Sequence, residues 1–353
     1  MGIMQGMEKT HQYARCLVLA GGGFRFGYYL GIHAAAEDTG HAPDLLLATC
    51  GGAVAAATIA RLPDAAARKE WLASRQVHAF LASLQSTARA APLPMLAGAA
   101  RRWMRRSSVP LIPDLFDDYL FELPAGLPLP PASGQAAPAV AIVGGKLLFN
   151  REEVGQPRGG RALFAETVFG DARVAALASG TPAAAADPRW SDGAIAPVLQ
   201  VDSAMPLEDA VRTSLSDMFY FRCHQHGASH YTGGVIDLFP IELARRLAAS
   251  VAMERKGRPD PWLVAPAWRA VLGIDGDARL RAVHGQAADV WIDTQDMAQA
   301  LRGHGLKKRV RWRENRFRLI APASYDDYRA QVEAQWQYGY RKGHAAYTGR
   351  QLP

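Results

Sequence analysis

Cysteine is scarce in this chain, with 3 residues in 353. So few thiols exclude a disulfide scaffold, and their odd number suits a reducing compartment. The first residues mix polar and charged types without an apolar stretch, so no signal peptide is visible. No uninterrupted run of about 18 apolar residues occurs, which argues against a membrane-spanning helix. We therefore expect a cytoplasmic protein, and contact with the inner face of the membrane remains open.

The overall composition is that of a globular protein. Hydrophobic residues make up 49% of the chain and charged residues 21%, which allows a large buried core. This balance excludes a disordered, collagen-like or coiled-coil chain. The net charge of +7 points weakly to acidic partners, since it is spread over a long chain.

The N-terminal part of the chain has the clearest pattern of secondary structure. Residues 15–20 form a short apolar run that ends at three glycines, which is typical of a buried parallel strand. A helix-spaced stretch follows at 26–38, then a second apolar run at 44–48 and an alanine-rich helix to about residue 62. This order predicts a three-layer α/β/α fold with a mainly parallel central sheet.

Weaker patterns organise the rest of the chain. The expected elements are helices over 64–106 with a break at Pro92 and Pro94, a hairpin around Gly144-Gly145, a hairpin over 308–320 and a closing helix over 325–347. We expect one domain over residues 1–353, with a core at about 15–200, a helical insertion at about 64–135 and a C-terminal extension at about 230–353.

Apolar and basic residues alternate in the hairpin at 308–320. Val310 and Trp312 are expected to share one face with Phe317 and Leu319. The arginines expected on the outward face are Arg309, Arg311, Arg313, Arg316 and Arg318.

A glycine-rich loop joins the first strand to the first helix. Gly21, Gly22 and Gly23 allow consecutive N–H groups to point into one concavity at a helix N-terminus, where a phosphate or an oxyanion can bind. The run is not a dinucleotide fingerprint, because its last glycine would fall on Phe26, and no P-loop lysine follows. A plain tight turn explains this segment equally well when it is taken alone.

The second strand ends at a segment that is typical of a nucleophile elbow. Ala48, Cys50 and Gly52 have the spacing that turns a strand abruptly into a helix and presents the middle side chain. Taken alone, the segment could equally be a structural turn. A third segment, Ser191-Asp192-Gly193-Ala194, is by itself also only a turn.

In this order, the three segments resemble the patatin-like phospholipases, also called patatin-like acyl hydrolases. That family has a G-G-G-x-R-G loop, a G-x-S-x-G elbow and a later D-G-G or D-G-A, and the resemblance covers about residues 15–200. Its A-S-x-x-x-P element resembles residues 178–182 but is one residue shorter here. Phe26, Ala48 and Cys50 depart from the pattern, and Cys50 falls on the nucleophilic serine.

The resemblance implies a catalytic dyad of Cys50 and Asp192. Cys50 would attack a fatty-acyl ester or thioester, while Asp192 orients or deprotonates the thiol and then activates the acceptor. The amides of Gly22, Gly23 and Phe24 would form the oxyanion hole.

The resemblance further implies substrate contacts at Arg25 and Gly51. Arg25 would fix the loop or bind a phosphate-bearing head group. The expected substrates are acyl-CoA, acyl carrier protein or phospholipid, and no metal or organic cofactor is expected. A basic segment that contains Arg101, Arg102, Arg105 and Arg106 is either a solvated helix end or an interfacial segment that makes peripheral contact with an anionic membrane or an acidic carrier protein.

Cysteine in place of serine changes the expected chemistry. A helix N-terminus lowers the pKa of a thiol and a neighbouring carboxylate raises it, so the sequence leaves the net shift at Cys50 open. An acyl-cysteine is a thioester, which favours acyl transfer to an acceptor without excluding hydrolysis. Two alternatives remain: a catalytically weak scaffold that binds acyl chains or lipid, and an engineered replacement of serine.

Other candidate signals are discounted. His224, His226 and His230 fit no standard zinc spacing and are expected in a solvated loop. Cys16 and Cys223 are expected to be core thiols. The arginine-rich hairpin carries no nucleic-acid recognition motif, so nucleic acid is not expected as a partner.

Overall fold

The apolar runs of the sequence become the strands of one large sheet and two small ones. The computed structural model describes residues 12–104, 109–132, 137–258 and 264–350. In chain order, the strands there are β1 Tyr13–Leu19, β2 Leu45–Ala48, β3 Gln85–Ser86, β4 Phe121–Glu122, β5 Ala139–Leu147, β6 Phe164–Phe169, β7 Gln200–Asp202, β8 His224–His226, β9 Ser229–Thr232, β10 Ala248–Arg255, β11 Val290–Asp293, β12 Lys307–Arg311 and β13 Arg316–Ile320.

Helices cover both faces of the large sheet. Those in the described ranges are α1 Phe26–Asp38, α2 Gly51–Arg61, α3 Ala65–Leu72, α4 Arg75–Ala82, α5 Pro92–Met104, α6 Ala172–Ala178, α7 Leu207–Leu215, α8 Ile241–Leu247, α9 Val264–Ala267, α10 Gly276–His284, α11 Met297–Ala300 and α12 Tyr325–Thr348. None of these helices combines the length and the apolar character needed to cross a bilayer.

The large sheet is mainly parallel. Its strand order is β11-β10-β1-β2-β5-β6-β7, and the β8–β9 hairpin joins it through β5. Neighbours pair in parallel along this path except β5 with β6. The α/β/α fold expected from the sequence is therefore confirmed.

Two cores form because successive side chains of a strand point to opposite faces. Cys16 and Val18 of β1 belong to one core, whereas Leu17 and Leu19 belong to the other. β1 and β2 are buried on both faces, which explains their nearly continuous apolar sequence. Because β1 and β2 are buried and paired, their ends lie next to each other in a fixed position.

The hairpin expected around Gly144-Gly145 is wrong. Both glycines lie inside the single strand β5. A Cβ on Gly144 would lie 2.7 Å from Thr213 Cγ2, so the glycine is required by close packing against α7 rather than by a turn. Isolated from its surroundings, a glycine pair inside a strand has the same sequence signature as a hairpin turn.

The expected core of residues 15–200 is too short. β10 lies next to β1 in the middle of the sheet and β11 lies at its edge, so the sheet is completed by residues beyond 245. The division into one domain with an insertion and an extension otherwise stays a prediction.

The arginine-rich hairpin forms as β12 and β13, with Val310 opposite Phe317. Leu319 lies opposite Lys308, whereas Trp312 falls in the turn and is 78% exposed. The expectation that Trp312 shares the apolar face is therefore wrong, because the antiparallel pairing stops at Arg311.

Helix α12 packs closely against α1, the helix that follows the glycine-rich loop. Gln335 Oε1 accepts a hydrogen bond of 3.1 Å from the amide of Gly27, in the first turn of α1. A Cβ on Gly31 would overlap the carbonyl oxygen of Trp336, so the two backbones approach closely only because this residue has no side chain. The last helix of the chain therefore braces the element that leaves the loop.

The variant Gly31→Ala is expected to lower the free energy of unfolding by about 1–3 kcal/mol, because α1 and α12 must move apart. Chemical denaturation measures the change. Gly126→Ala is the matched control, since a Cβ there meets nothing within 4 Å. Equal effects of the two substitutions would contradict the close approach.

Candidate active site

The glycine-rich loop and the elbow meet at one edge of the sheet. β1 and β2 are parallel neighbours with Leu19 opposite Ala48, so the segments that leave their C-terminal ends lie side by side. Cys50 stands between β2 and α2 with φ 49° and ψ −125°, which is a strained conformation for a residue with a side chain. This is the backbone expected of a nucleophile elbow.

A buried serine holds the strained residue in place. The amide of Cys50 donates to Ser214 Oγ at 2.8 Å, and Ser214 Oγ donates to the carbonyl oxygen of Val143 at 2.7 Å. Ser214 lies near the C-terminal end of α7 and Val143 lies in β5. One hydroxyl therefore joins the elbow to a helix and to a strand.

The carboxylate that contacts Cys50 is Asp217. The Asp217 carboxylate lies beside the Cys50 thiol and raises its pKa, while the thiol lowers the pKa of the carboxylate. The amide of Val235 donates to Asp217 Oδ1 at 3.2 Å, and Gly233 packs against the same carboxylate. A carboxylate from the segment after α7 is thereby fixed beside the thiol.

Asp192, the carboxylate expected from the sequence, is bound elsewhere. Its Oδ1 forms an ion pair of 3.0 Å with Arg158, and its Oδ2 accepts a hydrogen bond of 2.7 Å from the amide of Val109. The amide of Ala194 also donates to Oδ1, at 3.0 Å. The expected contact between Cys50 and Asp192 is therefore replaced by one with Asp217, and Asp192 joins three loops.

The pKa values of the pair follow mainly from burial. Burial raises the pKa of the Cys50 thiol well above its usual range, and the charge and hydrogen bond of Asp217 raise it further. The Gly51 amide and the Lys256 ammonium lower it without reversing the shift. Burial also raises the pKa of Asp217 to about 7, against the lowering effect of its hydrogen bonds with Cys50 and Val235. Near neutral pH the thiol is therefore protonated and Asp217 is partly ionised.

The amides of the glycine-rich loop are available to a ligand. Within the described residues, the amides of Gly22, Gly23 and Phe24 donate hydrogen bonds to no other group. Gly23 has φ +64° and a Cβ there would meet nothing within 4 Å, so this part of the loop is open. Free N–H groups beside a nucleophile are the donors that a developing oxyanion requires.

A buried lysine holds the start of this loop. Lys256 Nζ donates to the carbonyl oxygens of Ala20 and Gly21 at 3.2 and 2.6 Å, and to the hydroxyl oxygen of Tyr28 at 2.8 Å. Its charge is partnered by Glu254, whose Oε2 lies 3.4 Å from Nζ. Because these two carbonyls are bound to the ammonium, the backbone that precedes the free amides is fixed in one orientation.

The chain matches a known protein family. A family model described as patatin-like phospholipase matches residues 17–245, which is more than half of the chain. The chain belongs to this family. No curated protein matches the chain closely enough to count as a relative. Membership of the patatin-like phospholipases indicates an enzyme of the hydrolase type that acts on lipid acyl groups.

Asp192-Gly193-Ala194, the segment that resembles the later motif of the patatin-like family, is bound to other loops, and a different glycine pair lies at Cys50. Thr232-Gly233-Gly234 follows the D-G-G pattern with threonine in place of aspartate, and these two glycines are the ones that pack on the site. A Cβ on Gly234 would lie 2.6 Å from the amide nitrogen of Cys50. The glycine pair is the sequence signal that indicates this segment, although the aspartate of the pattern is missing.

The serine that binds the elbow is not the serine of the segment that resembles the A-S-x-x-x-P element. Ser179 ends helix α6, while the serine that binds the amide of Cys50 is Ser214. Asp217 follows three residues later, at a position that no motif of the family indicated. The position of Asp217 beside Cys50 depends on the path of the chain after α7.

Arg25 and Gly51, the residues expected to contact substrate, lie beside the loop. Gly51 begins α2 and packs against the carbonyl of Gly23. Arg25 Nε is buried and has no hydrogen-bond partner among the described residues. The guanidinium of Arg25 lies close to Gly305, where a Cβ would be 3.4 Å from Nε.

One group of side chains within the described ranges could hold a metal ion. Asp209, His224 and His226 offer ligand atoms within 4.8 Å of one another. His224 Nε2 lies 3.0 Å and His226 Nδ1 3.5 Å from the carboxylate of Asp209. The expected loop is strand β8 instead, and Asp209 belongs to α7, so the cluster ties the β8–β9 hairpin to that helix.

The variant Asp217→Asn is expected to make Cys50 more reactive toward iodoacetamide at pH 7–8, because the carboxylate charge raises the pKa of the thiol. The pH profile of alkylation, followed by intact mass, should shift to lower pH. Asp192→Asn removes the same charge from a carboxylate that does not contact Cys50, and it should leave the profile unchanged. A shift with Asp192→Asn alone would contradict the pairing described above.

Proposed function

We propose that the protein is an acyl-transfer enzyme that forms an acyl-Cys50 intermediate and uses a Cys50–Asp217 dyad. The supporting observation is a strained elbow at which the Cys50 thiol lies beside the Asp217 carboxylate and three free amides. Asp217 takes the role that the sequence suggested for Asp192.

The first half of the reaction forms the intermediate. Asp217 accepts the proton of the Cys50 thiol as Sγ attacks the acyl carbonyl of an ester or thioester. The amides of Gly22, Gly23 and Phe24 stabilise the tetrahedral oxyanion. When the oxyanion collapses, the bond to the alcohol or thiol breaks, and this leaving group takes the proton from Asp217.

The second half regenerates the free enzyme. Water or an acceptor hydroxyl, amine or thiol attacks the acyl-Cys50 thioester, and Asp217 accepts its proton. The thiolate of Cys50 leaves and recovers that proton. A base with a pKa of about 7 accepts a proton more readily than an ordinary aspartate, which offsets part of the cost of ionising a buried thiol.

The proposed donors carry an acyl group on a good leaving group. Acyl-CoA, an acyl carrier protein and a phospholipid all satisfy this requirement. Exchange between two thioesters changes the bond energy little, so Cys50 is better suited to transfer from a thioester than to hydrolysis of an oxygen ester.

A second candidate function is a scaffold that binds acyl chains without turnover. The raised pKa of Cys50 favours it, because a thiol that stays protonated is a weak nucleophile. Thr232 in place of the motif aspartate points in the same direction. Binding without a covalent adduct would identify this function.

Incubation of the protein with an acyl-CoA or a p-nitrophenyl ester is expected to add one acyl mass to Cys50, as measured by intact mass and peptide mapping. Cys50→Ala should abolish the adduct. The acylation rate should rise as the pH increases through about 7, because Asp217 must be ionised to accept the thiol proton.

Variants of the two aspartates distinguish loss of the dyad from a general loss of structure. Asp217→Asn should slow acylation by roughly 100-fold or more, the usual contribution of a general base, whereas Asp192→Asn should retain most of the rate. An adduct that forms equally fast in Asp217→Asn would exclude Asp217 as the base. Tight acyl binding with no adduct in the wild type would exclude the enzyme and support the scaffold.

We also propose peripheral contact through helix α5. Leu93 and Leu96 of this helix are 77% and 59% exposed, which is unusual for large apolar side chains three residues apart. The basic residues expected to accompany them are Arg101 and Arg102, whose side chains are not described, and Arg105 and Arg106, which lie outside the described residues.

The double variant Leu93→Ser/Leu96→Ser is expected to weaken activity on phosphatidylglycerol vesicles at least several-fold, because apolar area that would enter the membrane is lost. Activity on a small water-soluble ester should be unchanged. Vesicle flotation and the two rates measure the effect. Equal loss on both substrates would show that α5 only supports the fold.

A further inference from the structure

A basic cavity lies between the β12–β13 hairpin and α12. Its volume is about 640 Å³, and its lining includes Lys307, Arg309 and Arg311 of β12. These three residues alternate along the strand, so their side chains share one face. Asp327 is the carboxylate among the lining residues.

The hairpin brings like charges together on this face. Arg309 lies directly opposite Arg318, and Arg311 lies directly opposite Arg316. Side chains directly opposite each other in an antiparallel pair share a face, and like charges there destabilise the pair. The arrangement opposes folding of the hairpin unless an anion offsets it.

Of the four arginines in these two pairs, only the two in β13 have a partner within the described residues that offsets the repulsion. Arg318 binds Glu314 at 2.6 Å, and Arg316 donates to the carbonyl oxygen of Ser86 at 2.8 Å. Across the same part of the chain, no carboxylate pairs with Lys307, Arg309 or Arg311. In the two arginine pairs, the members without a compensating partner are therefore those that line the cavity.

The wall of the cavity connects it to the active-site loop. Gly305 lines the cavity, and the guanidinium of Arg25 lies against this glycine. Arg25 follows Gly23 and Phe24, the residues whose free amides lie beside Cys50. A fourth cation, with its buried Nε lacking a partner in the described residues, thus lies against the wall of the cavity and at the end of the glycine-rich loop.

We propose that this cavity binds the phosphate groups of the acyl donor while its acyl carbonyl lies at Cys50. The inference rests on the proposed function, since it names the donor as a phosphate-bearing molecule. Guanidinium groups bind phosphate oxygens in pairs through a planar fork, and several convergent cations suit a ligand with more than one phosphate. The phosphates of coenzyme A and the phosphodiester of a phospholipid share this chemistry.

Isothermal titration with the Cys50→Ala protein tests the cavity apart from any acyl chemistry. Coenzyme A is expected to bind, and pantetheine, which lacks the phosphates, is expected not to bind. Affinity for coenzyme A should fall as salt is raised. Arg309→Gln/Arg311→Gln should weaken the binding by roughly tenfold or more, since two charged phosphate contacts are lost. The control Arg313→Gln/Arg329→Gln removes two exposed cations that do not line the cavity, and it should leave the affinity within about twofold.

A second arm of the experiment determines whether the phosphate belongs to coenzyme A or to a lipid head group. Phosphatidylglycerol vesicles, compared with phosphatidylcholine vesicles, replace coenzyme A as the probe. Vesicle binding that depends on Arg309 and Arg311, without coenzyme A binding, would support the cavity and identify a lipid head group as its ligand. No binding of either probe, or equal weakening by the two double variants, would overturn the proposal.

Failure of this inference is distinguishable from failure of the proposed function. A phosphate-free p-nitrophenyl ester should acylate Cys50 at the same rate in the wild type and in Arg309→Gln/Arg311→Gln. Acyl-CoA should acylate the double variant more slowly at low concentration. Equal rates of acylation by acyl-CoA in the wild type and the double variant would overturn the proposed phosphate binding in the cavity. The proposed acyl-enzyme would be unaffected. Absence of acylation in the wild type would overturn the proposed acyl-enzyme. The titrations would still show whether the cavity binds phosphate groups.

Discussion

The strained backbone of Cys50 is the constraint on which the rest of the site depends. A residue with a side chain persists at positive φ only where the surrounding structure holds it there. Here Ser214 binds its amide from α7, and the backbone of Gly234 packs against the same amide from the segment after β9. The helix, the sheet and the glycine pair must all be in place before the thiol is presented. The site is therefore a product of the complete sheet and cannot form from the βαβα unit alone.

Two opposite charges act on the Cys50 thiol. Asp217 raises the pKa of Cys50 and Lys256 lowers it, but burial decides the outcome and keeps the resting thiol neutral. In the proposed reaction, the neutral thiol lies beside a carboxylate of raised pKa until a substrate arrives. Its activation requires proton transfer coupled to attack, which works best with an acyl carbonyl that is already reactive. A thioester meets this condition better than a carboxylic ester.

Local patterns predicted the local structure well, and failed where the answer depended on distant parts of the chain. Helix α1 and the elbow at Cys50 follow from short-range apolar spacing and glycine placement, and both were correctly predicted. Asp192 was chosen because it precedes a glycine, whereas Asp217 reaches the thiol only because α7 packs under the sheet. The residues around Asp217 in the sequence do not predict that packing. The misread glycine pair of β5 has the same origin, since its close packing on α7 is a tertiary contact.

The glycine-rich loop is held by residues that lie beyond the part of the chain that matches the family. The match ends at residue 245, but Lys256 binds the carbonyls at the start of the loop and Gln335 binds the first turn of the helix at its end. A fragment cut at the limit of the match would lose the strand beside β1 and both of these anchors. The boundary defined by sequence similarity is therefore not a boundary of folding, and residues outside the match determine how firmly the glycine-rich loop inside it is held.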